Sequence, residues 1–133
     1  HWLDRKAFDW AYGKVWSAIQ QVNARSYGFD ITKFEGRMQV TRYHEEDQGH
    51  YTWHMDGGKK TANRKISLSV QLSHSYDYEC GDIGFFYTNK ERFASRERWA
   101  IVTFPSWVMH RVTPVTKGVR YSLIAWIIGP RWR

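Results

Sequence analysis

Residues 64–73 read RKISLSVQLS, a strict alternation of polar and apolar side chains after the two leading cations. Successive side chains of an extended strand point to opposite faces, so Ser67, Ser69, Gln71 and Ser73 share one face and four aliphatic residues share the other. In a surface sheet the polar face is simply solvated, whereas in a barrel or jelly roll it can line a polar pocket. The segment therefore predicts a β-strand with one polar face.

Similar short runs, rich in β-branched and aromatic residues, continue on both sides of this strand. They are separated by Gly, Asn, Asp and clusters of charge, which is typical of an all-β sandwich or barrel. We predict eight strands, near Phe29–Phe34, Met38–His44, Tyr51–Asp56, Lys65–Ser73, Asp82–Tyr87, Trp99–Phe104, Trp107–Thr113 and Val119–Ile128. On the second of these, alternation places Gln39, Thr41 and Tyr43 together on another polar face.

The N-terminal region follows a different period. Its apolar residues recur at steps of three and four, which predicts one amphipathic helix at about residues 5–24 that packs on the β-region as a support. The residues that set this period are Phe8, Ala11, Val15, Ile19 and Val22. A chain of 133 residues fits a single domain, here residues 1–133 with a β-core at about 28–128.

Composition narrows the function classes. Cys80 is the only cysteine, which excludes an internal disulfide and any multi-cysteine metal site and is compatible with a reducing, cytoplasmic location. No apolar run approaches the roughly 20 residues of a membrane span, and no signal peptide pattern opens the chain, so we expect no membrane partner. The formal charge of +7 favours an acidic partner, either a peptide or a nucleic acid.

Three residues form a candidate metal site. His54 and Asp56 are separated by one residue, so on a strand both side chains project from one face and can reach one ion. Two histidines and one carboxylate are the ligand set of non-haem Fe(II) oxygenases, and His110 is the best third ligand. Taken alone, a His-x-Asp pair is more often a solvated pair of strand residues.

A candidate anion site follows on the last predicted strand. Arg120 shares a face with Ser122, which together offer a guanidinium fork and a hydroxyl group to a carboxylate. The alternative for Arg120 is an exposed cation on the strand surface.

The runs GHYTWHMD (49–56), RKISLSVQLS (64–73) and PSWVMHRVTPVTKGVRYS (105–122) resemble the 2-oxoglutarate/Fe(II) dioxygenases of the prolyl 4-hydroxylase type, closest to the bacterial and phage PKHD-type branch. The resemblance covers about residues 36–128. It rests on the order of a His-x-Asp pair, a distal His and an Arg-x-Ser pair.

This resemblance implies a double-stranded β-helix, a jelly roll of the cupin kind, with N-terminal helical support. It further implies that His54, Asp56 and His110 hold Fe(II) and that Arg120, assisted by Ser122, binds the distal carboxylate of 2-oxoglutarate.

Two further residues enter through the resemblance. Tyr43 resembles a tyrosine that hydrogen-bonds the co-substrate, and Gln71 stands where animal prolyl hydroxylases use a tyrosine for that contact. Arg120 is itself a departure from the collagen-modifying members, which usually carry a lysine there.

The activity that the resemblance implies is oxidative decarboxylation of 2-oxoglutarate to succinate and carbon dioxide, coupled to hydroxylation of peptidyl proline in a peptide or protein. Fe(II), 2-oxoglutarate and O2 are the expected cofactors, with ascorbate as a stimulant. Two loops, residues 57–65 and 88–98, are expected to form the substrate rim. His44, His50 and His74 are expected to be structural or surface residues.

Two other functions stay open at this point. One is an oxygenase of the same fold that acts on nucleobases or free amino acids. The other is a non-catalytic β-sandwich module whose tryptophans and basic loops bind an acidic polymer or single-stranded nucleic acid. Because Trp99, Trp107 and Trp126 fall in apolar strand patterns, we predict that they lie in the core, which favours the oxygenase.

Overall fold

A computed structural model describes residues 1–132 as one helical segment followed by a mainly β region. Helix α1 spans Asp9–Val22 and continues into a π-helical turn, Asn23–Tyr27. The strands are β1 (Lys33–Phe34), β2 (Gln39–His44), β3 (Tyr51–His54), β4 (Arg64–Gln71), β5 (Tyr78–Cys80), β6 (Ile83–Tyr87), β7 (Lys90–Phe93), β8 (Ile101–Pro105), β9 (His110–Val112) and β10 (Val115–Ile128). Short 3-10 turns occupy Glu45–Asp47 and Lys59–Thr61.

The strands form two antiparallel sheets. In the larger sheet, β10 is central: it pairs with β4 along one side, with β1 and β2 along the other, and with β5 at its beginning, while β8 extends the sheet beyond β4. The smaller sheet has the order β3-β9-β6-β7. Side chains of both sheets line one cavity, so the architecture is the predicted mainly β fold with an N-terminal helix.

The helix covers the apolar face of the larger sheet. Tyr12, Val15 and Ile19 are buried and belong to one core cluster with Leu68 and Val70 of β4. On the opposite face of β4 the polar residues are buried as well, since Ser67, Ser69 and Gln71 are each less than a tenth exposed. The polar face of this strand therefore turns into the protein interior, which is the jelly-roll outcome of the alternation in residues 64–73.

Several predicted boundaries were wrong. The predicted loop 88–98 contains β7, which pairs with β6 through a two-residue turn at Thr88 and Asn89, both with positive φ. Such turns match the twist of a hairpin, but Thr-Asn is a weaker signal than Asn-Gly. Strand β10 begins four residues earlier than predicted, because Val115, Lys117 and Gly118 pair with β5 across a register shift between Val115 and Lys117.

The predicted burial of two tryptophans was also wrong. Trp99 is 62% exposed and precedes β8, with a positive φ that no strand accommodates. Trp107 is 47% exposed and lies in the turn before β9, where its ring packs on Phe29 and Trp132. An apolar run at a strand end does not distinguish the last buried residue from the first exposed one.

Within residues 1–132, none of the helices combines the length and apolar character that a membrane span requires.

Candidate metal centre and carboxylate pocket

The smaller sheet brings His54, Asp56 and His110 together. His54 ends β3 and His110 begins β9, and the two residues are directly paired across the strands. Asp56 follows β3 at the distance that keeps its side chain on the same face. Asp56 Oδ1 lies 3.2 Å from His54 Nε2 and 3.5 Å from His110 Nε2, and the three potential ligand atoms all lie within 4.8 Å of one another.

Backbone hydrogen bonds orient both imidazoles. His54 Nδ1 lies 2.7 Å from the Thr52 carbonyl oxygen, and His110 Nδ1 lies 2.9 Å from that of Val108. A carbonyl oxygen only accepts, so in each ring Nδ1 donates its hydrogen and Nε2 keeps its lone pair for a ligand. Burial lowers the pKa of His110, which favours the neutral form that a metal requires.

The carboxylate of Asp56 is fixed from behind. Trp126 donates its indole N–H to Oδ2 at 3.0 Å, which leaves Oδ1 facing the two histidines. The Asp56 backbone carbonyl accepts hydrogen bonds from Thr61 Oγ1 at 2.8 Å and Arg64 Nη1 at 3.2 Å. Arg64 is held in turn by Glu35 at 2.6 Å and lies over the Trp126 ring at 4.2 Å. These residues position the one carboxylate of the cluster.

This supporting layer was not predicted from the sequence. The signal for Trp126 was present, because the alternation that pairs Arg120 with Ser122 continues to Ile124 and Trp126 on the same face. For Glu35 and Arg64, which come from different strands or strand ends, no spacing in the sequence indicates that they meet.

We expect Trp126→Phe to weaken metal binding by about 10- to 100-fold, the range seen when a partner of a metal ligand is removed. Phenylalanine keeps a ring beneath Arg64 but cannot hydrogen-bond Asp56 Oδ2, so the carboxylate gains rotational freedom. Titration with Mn(II), followed by calorimetry, measures the change in dissociation constant.

Trp107→Phe is the matched control, because Trp107 packs on Phe29 and Trp132 and does not line the cavity. Equal Mn(II) affinity in the Trp126 and Trp107 variants would show that the indole N–H does not hold Asp56.

The donor set fits an iron site. Two imidazole nitrogens and one carboxylate oxygen on one side of an ion form the facial arrangement of non-haem Fe(II) oxygenases, which leaves further coordination positions open. On the other side of the cluster lies a cavity of about 490 Å³, lined by residues of both sheets. The cluster is therefore able to hold Fe(II) with room for a bidentate small molecule.

The far end of this cavity carries a buried cation. Arg120 is 1% exposed; its Nη2 donates to Gln71 Oε1 at 2.8 Å, and its buried Nε lacks a partner among the described residues. Within residues 1–132, no carboxylate lies within 4.0 Å of its guanidinium group. Arg120 is thus not the exposed strand cation of the alternative reading.

A buried guanidinium without a counter-ion is costly, so Arg120 fits an anionic ligand of the cavity. Hydroxyl groups surround the same end: Thr41 Oγ1 and Ser122 Oγ lie 2.6 Å apart, and Tyr43 lines the wall. Burial raises the pKa of Tyr43, opposed by the charge of Arg120, whose guanidinium carbon lies 5.4 Å from the tyrosine ring. The protonated phenol is available as a hydrogen-bond donor.

Gln71 takes a supporting position. It is buried behind Arg120, accepts from Arg120 through its amide oxygen and donates to the Ser95 carbonyl oxygen at 3.2 Å. Gln71 is not one of the cavity-lining residues, and the contact that the structure shows for it at this site is the hydrogen bond with Arg120. Gln71 occupies the sequence position where animal prolyl hydroxylases use a tyrosine, but it does not line the cavity.

The remaining histidines lie outside the cavity, as expected. His44 Nδ1 accepts from the Glu46 backbone N–H at 3.0 Å, and His50 is exposed. His74 Nε2 lies 2.7 Å from Arg98 Nη1.

Comparison with known proteins agrees with this geometry. The model of the 2OG-Fe(II) oxygenase superfamily matches residues 38–128. A PKHD-type hydroxylase of Idiomarina loihiensis is 34% identical over 108 residues, which is 80% of this chain and 49% of the relative. The chain thus spans about half the length of that relative.

Solved structures share the fold. A Pseudomonas putida prolyl-4-hydroxylase superposes with a TM-score of 0.81 at 20% identity, over 98% of this chain and 71% of that one. A prolyl hydroxylase from Trichoplax adhaerens, in complex with a peptide fragment of the hypoxia inducible factor oxygen degradation domain, gives 0.78 at 21% identity, over 97% and 61%. These similarities confirm the predicted fold. The family match over residues 38–128, which include the metal cluster and Arg120, shows that the chain belongs to the 2OG-Fe(II) oxygenase superfamily.

Proposed function

We propose that this chain is a 2-oxoglutarate- and Fe(II)-dependent dioxygenase that hydroxylates peptidyl proline. The observation that carries the proposal is a single cavity with a His-Asp-His cluster on one wall and a buried arginine without a counter-ion at its end. A metal cluster alone would suit many reactions. The second feature selects a co-substrate that chelates the metal and also carries a distal carboxylate.

Each residue has a role in this proposal. His54, Asp56 and His110 hold the metal through Nε2, Oδ1 and Nε2. Arg120 pairs with the distal carboxylate of 2-oxoglutarate.

Neighbouring side chains complete that end of the cavity. Tyr43 donates its phenol hydrogen to the same carboxylate, and Ser122 offers its hydroxyl group, with Thr41 beside it. Gln71 keeps the guanidinium of Arg120 in place.

When bound, Fe(II) with 2-oxoglutarate and O2 supplies the oxidising chemistry, in which decarboxylation of 2-oxoglutarate to succinate accompanies transfer of one oxygen atom to a substrate C–H bond. The protein residues bind, orient and exclude water, since the cofactor carries the difficult chemistry.

A peptide substrate is supported by the mouth of the cavity. Tyr51 and Met55 line the cavity and are about half exposed. Exposed aromatic and methionine side chains beside a reaction centre are suited to an apolar ring such as that of proline. The similar Trichoplax adhaerens protein is a prolyl hydroxylase in complex with a peptide.

The test is incubation of the Fe(II)-loaded chain with 2-oxoglutarate, ascorbate and a set of proline-containing peptides, followed by mass spectrometry. We expect a mass gain of one oxygen atom on proline, with succinate formed in equal amount. Parallel reactions contain methylated oligonucleotides or free amino acids. Turnover of either of these, without hydroxylation of any peptide, would contradict the peptidyl-proline assignment and favour an oxygenase with a different substrate.

A further inference from the structure

A second depression adjoins the metal cavity. It has a volume of about 450 Å³ and is lined by Trp2, Glu35, Gly36, Arg37, Arg64 and Trp126. Arg64 and Trp126 also line the metal cavity, and both donate hydrogen bonds to Asp56. The depression, here called the Trp2 groove, therefore lies next to the metal cavity and shares two wall residues with it.

Backbone contacts of Trp2 and Leu3 hold Trp2 in the groove wall. Trp2 forms an antiparallel bridge with Gln39 of β2, and the Leu3 backbone N–H donates to the Met38 carbonyl oxygen at 2.9 Å. Gln39 itself lines the metal cavity. The tryptophan nevertheless remains 53% exposed, so it presents an indole ring at the surface of the groove.

The charges of the groove are unbalanced. Glu35 is engaged by Arg64 at 2.6 Å, so its charge is neutralised within the groove wall. Arg37 is exposed, and no carboxylate among residues 1–132 lies within 4.0 Å of it. The groove thus offers one unpaired guanidinium group next to an exposed indole.

We propose that the Trp2 groove binds the substrate segment that flanks the target proline, with an acidic side chain of that segment paired to Arg37 and an apolar side chain packed on Trp2. This inference rests on the proposed function and adds an acidic flank to the substrate class. A positive rim complements an acidic segment, and such pairs contribute mainly to specificity and association rate.

An extended peptide advances about 3.3 Å per residue, so the four residues on either side of the target proline reach roughly 13 Å. We expect the acidic residue within that reach, because Arg37 lines a groove that shares Arg64 and Trp126 with the metal cavity.

The experiment uses peptides with one proline and one Asp, placed at each position up to four residues on either side, and the same set with Lys. Two readouts are taken: hydroxylation kcat/KM, and the dissociation constant by fluorescence anisotropy with Mn(II) and 2-oxoglutarate bound. We expect Asp at the best position to exceed Lys by about three- to fivefold in both, the effect of one exposed charge pair.

Arg37→Glu should reverse this preference, so that the Lys peptide becomes the better ligand. Arg25→Glu is the control, since it changes the net charge equally at an exposed site in the helical segment. Trp2→Ala should weaken binding of Asp and Lys peptides alike by more than about fivefold, as loss of an aromatic contact does.

An unchanged Asp preference in Arg37→Glu would overturn the inference while leaving the proposed function intact. If no peptide is hydroxylated, the proposed function fails, and the anisotropy measurement then decides whether the groove still binds acidic peptides. Tighter, Arg37-dependent binding of a single-stranded oligonucleotide would replace the peptide by a nucleic acid as the occupant.

Discussion

Arg120→Met is expected to raise the dissociation constant for 2-oxoglutarate by about 30-fold or more, since loss of one partner of a buried charge pair costs about 2–5 kcal/mol. Methionine fills a similar volume but offers the distal carboxylate neither charge nor hydrogen bonds. The metal cluster is not touched by the change. Anaerobic titration of the Fe(II)-loaded chain, followed by the charge-transfer absorbance of the chelated co-substrate, measures the affinity.

The same variant should unfold at an unchanged or higher temperature without 2-oxoglutarate. Burial of the Arg120 charge lowers the stability of the folded state, because its Nε has no hydrogen-bond partner among the described residues. Replacement of a buried charge by an apolar side chain is often neutral or stabilising. Thermal unfolding followed by circular dichroism tests this. A loss of affinity together with a stable fold identifies Arg120 as a binding residue and not as a structural one.

Two further variants sharpen the result. Arg120→Lys keeps the charge without the guanidinium fork, so we expect an intermediate affinity. Arg42→Met is the control, because Arg42 lies exposed on the neighbouring strand β2 and does not line the cavity. Equal affinity for 2-oxoglutarate in the Arg120 and Arg42 methionine variants would place the distal carboxylate elsewhere.

The sequence predicted the fold through alternation. Residues 64–71 form β4, and both faces of this strand are buried. On its polar face Ser69 lines the cavity, Ser67 hydrogen-bonds Ser106, and Gln71 accepts from Arg120. Short-range signals failed where chain geometry depends on a few dihedral angles. The turn at Thr88 and Asn89 needs positive φ values that these residue types favour less than glycine does, so β7 was missed. The first residues of β10 were missed as well, where its register against β5 shifts between Val115 and Lys117.

In the candidate site, too, local spacing predicted only the contacts between residues that are close in sequence. His54 and Asp56 share a face by local spacing, and Arg120 and Ser122 do so too, but nothing local places His110 opposite His54. That pairing depends on the register of β3 against β9, which is a property of the whole sheet. The resemblance to a known family indicated that His110 binds the same metal as His54. Trp126, Arg64 and Glu35, which support Asp56, come from three distant segments of the chain, so their contacts are visible only in the folded structure.

A histidine in this position has two separable functions. His110 is 6% exposed, and its ring lies 4.5 Å from that of Phe104, so it contributes to packing as well as to the ligand cluster. Alanine at this position would leave a cavity and confuse the two contributions. Glutamine keeps most of the volume and is therefore the better replacement.

His110→Gln is expected to weaken binding of Mn(II) or Fe(II) by more than about 100-fold, beyond the 10- to 100-fold cost of losing an outer partner of a ligand. A metal that binds only the folded state raises its stability, by about 2.7 kcal/mol when the metal is at 100 times its dissociation constant. The unfolding temperature of the native chain should therefore rise with Mn(II), whereas that of His110→Gln should not respond at the same concentration.

His50→Gln should behave as the native chain, because His50 is exposed and its Nδ1 meets the Gln48 carbonyl oxygen at 2.7 Å outside the cavity. A full Mn(II) response in His110→Gln would mean that the ion is held without the second histidine, and the facial arrangement of ligands would have to be abandoned.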